Sequence, residues 1–77
     1  MKTVNVKLDT VEKVKGFVNM VAPLEGDIDL GKDRYIVDAK SIMGIFSLDL
    51  SKPLKLAIHN EATADRLIPM LKDYIVE

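Results

Sequence analysis

Few side chains in this 77-residue chain could do chemistry, and they are scattered. The only histidine, His59, closes an alternating apolar segment, but no second histidine, no cysteine and no evident triad partner accompanies it. A surface or capping role is therefore expected for it. Thr10 and Ser41 each stand ahead of an apolar stretch of helical period, where a hydroxyl can accept from the unpaired N–H groups of a first turn. Thr10 reads as a cap. Ser41 follows Lys40 and precedes Ile42, Met43, Gly44, Ile45 and Phe46, and it has a second reading as a phosphorylation switch, because a dianion at a helix N-terminus beside a lysine is electrostatically favoured. Asp27, Asp29, Asp33 and Asp38 alternate along strands or fall in turns, so they read as solvated charge; a metal site would need convergent oxygen ligands. Tyr35 and Tyr74 carry no signal, and no cofactor is expected.

The balance of charges narrows the classes. Eleven Lys and Arg against 12 Asp and Glu, with two Phe and two Tyr, argue against a nucleic-acid module, which shows a basic excess and stacking aromatics. The absence of cysteine excludes a disulfide framework or a thiolate metal site. No window approaches the roughly 18 apolar residues of a membrane span, and the first ten residues lack the apolar run of a signal peptide. A cytoplasmic protein without a membrane partner is expected. The chain is short enough for one domain, residues 1–77, burying only about 60% of its unfolded surface.

The elements that must position these residues follow from periodicity. Val4, Val6 and Leu8 alternate with Asn5 and Lys7, which predicts a half-buried strand. Asp9 and Glu12 have capping-box spacing, and Val11, Val14, Phe17, Val18 and Val21 then recur at helical intervals. Gly16 inside that helix costs about 1 kcal/mol relative to alanine. Ala22-Pro23 ends it. Asp27 to Leu30 and Arg34 to Val37, joined by Gly31-Lys32-Asp33, predict a hairpin. A short helix from Ser41 comes next, apolar on nearly all sides, with Ile45 the residue expected to be buried and Met43 the most exposed. Leu54, Leu56 and Ile58 mark a fourth strand; Asn60 caps a last helix whose stripe is Ala64, Leu67, Ile68, Leu71 and Ile75, kinked or split at Pro69. The order β-α-β-β-α-β-α with alternating strands predicts an α+β open-faced sandwich, a four-stranded antiparallel sheet with three helices on one face.

Residues 37–48, Val-Asp-Ala-Lys-Ser-Ile-Met-Gly-Ile-Phe-Ser-Leu, closely resemble the stretch around the regulatory serine of HPr, the histidine-containing phosphocarrier of the bacterial sugar phosphotransferase system. Element order and length agree over nearly the whole chain. The resemblance implies that Ser41 occupies the position modified by an ATP-dependent kinase in many Gram-positive members. It also implies that Ile42, Met43 and Phe46, beside Lys40, match the apolar patch that docks enzyme I, the sugar-specific proteins and a transcriptional regulator.

One segment departs from the family. Its members carry a Gly-Leu-His-Ala-Arg-Pro-Ala type run at the first helix, with the phosphoacceptor histidine seven residues before a Phe matching Phe17. Counting back places Thr10 at the histidine, Glu12 at the arginine and Lys13 at the proline. A threonine phosphoester is not readily donated, and Glu12 repels phosphate oxygens where a cation would neutralise them. The expectation is a non-enzymatic regulatory or interaction module of HPr type that has lost histidine phosphotransfer and keeps Ser41 as a candidate switch. The alternatives are an active carrier using Thr10 or His59, and a structural module that dimerises through the patch.

Overall fold

The computed structural model describes residues 1–76. In chain order it holds β1 (Lys2–Val6), α1 (Val11–Val21), β2 (Ile28–Lys32), β3 (Tyr35–Asp38), α2 (Ile42–Phe46), β4 (Leu54–Ile58), α3 (Glu61–Met70) and β5 (Ile75–Val76). The strands form one sheet in the order β3-β2-β4-β1-β5, and every pairing is antiparallel.

Register explains the two faces. Val4 pairs with Leu56 and Val6 with Leu54, while Leu30 meets Leu56 and Ile28 meets Ile58 from the other side. These side chains share a face by the two-residue alternation of strands. Val14, Phe17 and Val21 of α1, Ile45 of α2 and Ala64 and Leu67 of α3 are fully buried in one cluster with them. The opposite face carries Thr3, Asn5, Asp29, Gly31, Ile36, Asp38, Lys55 and Ala57 by the same alternation, and no helix covers it. The architecture is the expected α+β open-faced sandwich with three helices on one face.

The sheet has five strands, not four. Ile75 lies in β5 beside β1, where Ile75 pairs with Val6 and Val76 with Asn5. The expected last helix instead stops at Met70, one residue past Pro69, which brings no N–H to the helical ladder. The Leu71 carbonyl then accepts from both Tyr74 N and Ile75 N, and the Lys7 N–H donates to the Tyr74 carbonyl at 2.9 Å, turning the chain back onto the sheet edge. At the first helix Thr10, not Asp9, is the cap: its hydroxyl accepts from Lys13 N at 3.1 Å. Asp9 lies one residue too early, and its carboxylate pairs with the Lys13 ammonium at 3.3 Å.

Gly16, which weakens α1 on propensity alone, lies close against Tyr74. A Cβ there would sit 2.7 Å from the Tyr74 hydroxyl and 3.9 Å from the ring carbon bearing it. The glycine thus lets the half-buried Tyr74 close the segment between α3 and β5. Gly16→Ala is expected to be neutral or destabilising in the native background, yet to stabilise by up to about 1 kcal/mol in a Tyr74→Phe background where the clashing oxygen is gone. Urea midpoints of the four proteins check this; the same sign in both backgrounds would show that Tyr74 does not select the glycine.

Candidate functional site

Two helix N-termini present the hydroxyls singled out in the sequence, and both are built alike. Thr10 has extended backbone dihedrals (φ −134°, ψ 156°), and Val14 N donates to its carbonyl. Ser41 is also extended (φ −98°, ψ 107°); its hydroxyl accepts from Gly44 N at 3.1 Å, and its carbonyl accepts from Ile45 N. The loop leading into Ser41 is held by Asp38, whose carboxylate accepts from Lys40 N at 2.9 Å and whose carbonyl accepts from Ser41 N at 3.0 Å. Gly44 makes room for this cap, because a Cβ there would lie 3.2 Å from both the Ser41 hydroxyl and Val37 Cβ.

Lys40 does not lie free beside Ser41. Its ammonium donates to the Leu24 carbonyl at the end of the segment after α1 and is partly buried there. A phosphate on Ser41 would therefore be met first by backbone N–H groups.

Around α2 the apolar residues divide by depth. Ile45 is fully buried and Ile42 half-buried against the core, whereas Met43 is 78% exposed and Phe46 41%. Met43 is thus the outermost side chain of the candidate patch. Five residues make only about a turn and a half, so one helix cannot bury four large apolar side chains against a single sheet face.

His59 is remote from Thr10. Antiparallel pairing of Lys2 with Ile58 and Val6 with Leu54 puts Thr10, beyond Val6, past one end of the sheet and His59, beyond Ile58, past the other. His59 has a partner that sequence reasoning missed: its Nε2 lies 2.9 Å from Asp29 Oδ2. The signal is register, since Asp29 faces Ala57 and so shares the open face with the residue two further along. Lining the shallow depression around this pair are Met1, Thr3, Ile36, Lys55 and Ala57. Among the described residues no group of three or more His, Asp or Glu side chains converges as a metal site.

No family model matches the sequence, nor does any curated protein. Solved structures do. An HPr-C-His structure from Thermoanaerobacter tengcongensis is 28% identical, with a TM-score of 0.75, over 94% of this chain and 92% of that one. The phosphocarrier protein HPr from Bacillus anthracis str. Ames is also 28% identical, with a TM-score of 0.71, over 97% of this chain and 94% of that one. The antiparallel sheet under three helices is the fold of phosphocarrier proteins. The chain is HPr-like in fold, and the likeness runs over nearly its full length.

Two measurements probe the caps. Thr10→Ala and Ser41→Ala are each expected to lower stability by about 1 kcal/mol, read from urea midpoints, and an unchanged midpoint would show that the hydroxyl leaves its N–H to water. Near Thr10, the hydrogen bond from Lys13 holds the Asp9 carboxyl below its ordinary value, helped by the charge of the same ammonium. A carboxyl lowered on folding stabilises above its unfolded value and loses that contribution as pH falls. The stability gap between native protein and Asp9→Asn should accordingly be present at pH 7 and close below about pH 4.

Proposed function

We propose that this HPr-like chain is a non-enzymatic interaction or regulatory module that does not carry a phosphoryl group on histidine. The observation that carries the reading is Thr10: at the position the resemblance assigns to the acceptor stands a hydroxyl engaged as a helix cap, followed by Glu12 in the first turn. That oxygen accepts from Lys13 N at 3.1 Å, which holds the hydroxyl in a capping role. The acidic residue opposes a second anion at this helix start.

Docking is the role left to the fold. Met43 and Phe46, with half-buried Ile42 beneath and Lys40 alongside, offer an apolar surface next to an exposed hydroxyl at Ser41. Partners of this surface would be proteins: phosphotransferase-system components, a serine kinase or a transcriptional regulator, met in the cytoplasm. Phosphorylation of Ser41 would add charge at the rim of the patch and so change its affinity for an apolar partner surface.

The test is intact-mass analysis after incubation with enzyme I and phosphoenolpyruvate, and separately with the serine kinase and ATP, a histidine-bearing HPr serving as control in each tube. No added phosphate is expected from phosphoenolpyruvate, and one phosphate on Ser41 is expected from ATP. Label on Thr10 or His59 at the control's rate would overturn the loss of transfer; the two are separable, since phosphohistidine is lost in acid. An unlabelled Ser41 beside a labelled control would remove the switch.

A further inference from the structure

All the sulfur in this chain is thioether. It has four methionines and no cysteine, so no thiol competes for an oxidant. The four methionines differ in setting. Met20 is half-buried against the core, Met70 closes α3 at 50% exposure, and Met1, 67% exposed, is the first residue of the sequence. Met43 is the most exposed large apolar side chain among the described residues, and it lies two positions after Ser41 and three before Phe46. Residues three apart share one side of a helix, so Met43 and Phe46 face outward together.

The core does not depend on Met43. Ile45 of the same helix is part of the buried cluster and Ile42 packs against it, but Met43 belongs to neither group. A change of polarity at Met43 therefore leaves the fold intact and alters only what a partner meets. At Met20 the same change would reach the core, where a polar sulfoxide disturbs packing.

We propose that Met43 is a reversible oxidation site, taking one oxygen atom from a peroxide and so turning the docking surface from apolar to polar. The inference rests on the reading of the α2 patch as a docking surface. In the step, the sulfur lone pair attacks one peroxide oxygen, the S–O bond forms as the O–O bond breaks, and the departing hydroxide takes the proton of the transferred oxygen to become water. Sulfur gives up two electrons and the peroxide receives them. A methionine sulfoxide reductase reverses the change at the expense of two thiols, which become a disulfide while the oxygen leaves as water. The sulfoxide oxygen is a hydrogen-bond acceptor. Pressed against an apolar partner it finds no donor, and affinity falls. Oxidation of Met43 is thus a second input to the surface that phosphorylation of Ser41 would charge, and it needs no phosphate.

The test treats the whole protein with hydrogen peroxide and follows four readouts: the oxidised positions by peptide mass, the urea midpoint, retention on a hydrophobic-interaction column, and the kinetics of the serine kinase with ATP. Met43 is expected to oxidise faster than Met20. The oxidised protein keeps its urea midpoint, elutes earlier, and shows a KM for the kinase raised about tenfold with kcat unchanged. Treatment with the reductase restores retention and KM. Met43→Leu, which keeps the side-chain volume, loses most of the retention shift and holds its KM through the same peroxide treatment. A Met43 no more reactive than Met20, an unchanged elution, or an equal rise of KM in Met43→Leu would each overturn the proposal. A native protein that the kinase leaves unphosphorylated before oxidation overturns the Ser41 reading instead, and the oxidised positions and the elution then decide the oxidation site by themselves.

Discussion

Everything in this molecule hangs on the register of β4 between β1 and β2. Leu56 pairs with the inward Val4 on one flank and the inward Leu30 on the other, while Leu54 pairs with Val6 and Ile58 with Ile28. A slip of one residue would send the whole row to the open face and leave α1 and α3 nothing apolar to cover. In a chain this small there is no second core to absorb the error. The same register places Thr10 and His59 past opposite ends of the sheet.

Much of this was legible because it is periodic. Val4 and Val6, then Leu54, Leu56 and Ile58, announce their strands by alternation, and Val14, Phe17 and Val21 announce a helix face. Their partnering as a one-sided sandwich follows from the need to bury one stripe and one face. Asn60 and Ser41 were readable as caps because their side chains act within three residues. The depth of Ile45 and the exposure of Met43 also followed from local arithmetic.

What escaped reading is non-local. β5 exists because Tyr74 meets Lys7 across the chain and because Gly16 leaves room for the tyrosine ring; neither residue signals the other. Of the two residues that read as starting α1, Asp9 by its spacing to Glu12 and Thr10 by its hydroxyl, Thr10 is the cap. Asp29 and His59 find each other only once β2 and β4 are aligned. Lys40 was assigned to Ser41 by adjacency and in fact reaches a backbone carbonyl sixteen residues away.

The position of β1 also fixes when the fold can close. The first strand lies between β4 and β5, both drawn from the last third of the chain, so its ladders join residues separated by nearly the whole length. Such pairings carry the full loop-closure entropy before they return any contact energy, which places the molecule among slower folders for its size. On a ribosome the β1 segment would emerge first and wait unpaired until β4 appeared, while the β2–β3 hairpin, joined through Asp33 in a left-handed conformation (φ +57°), could form on its own. β5 pairs only with β1 and so can add to the sheet only once β1 has joined β4.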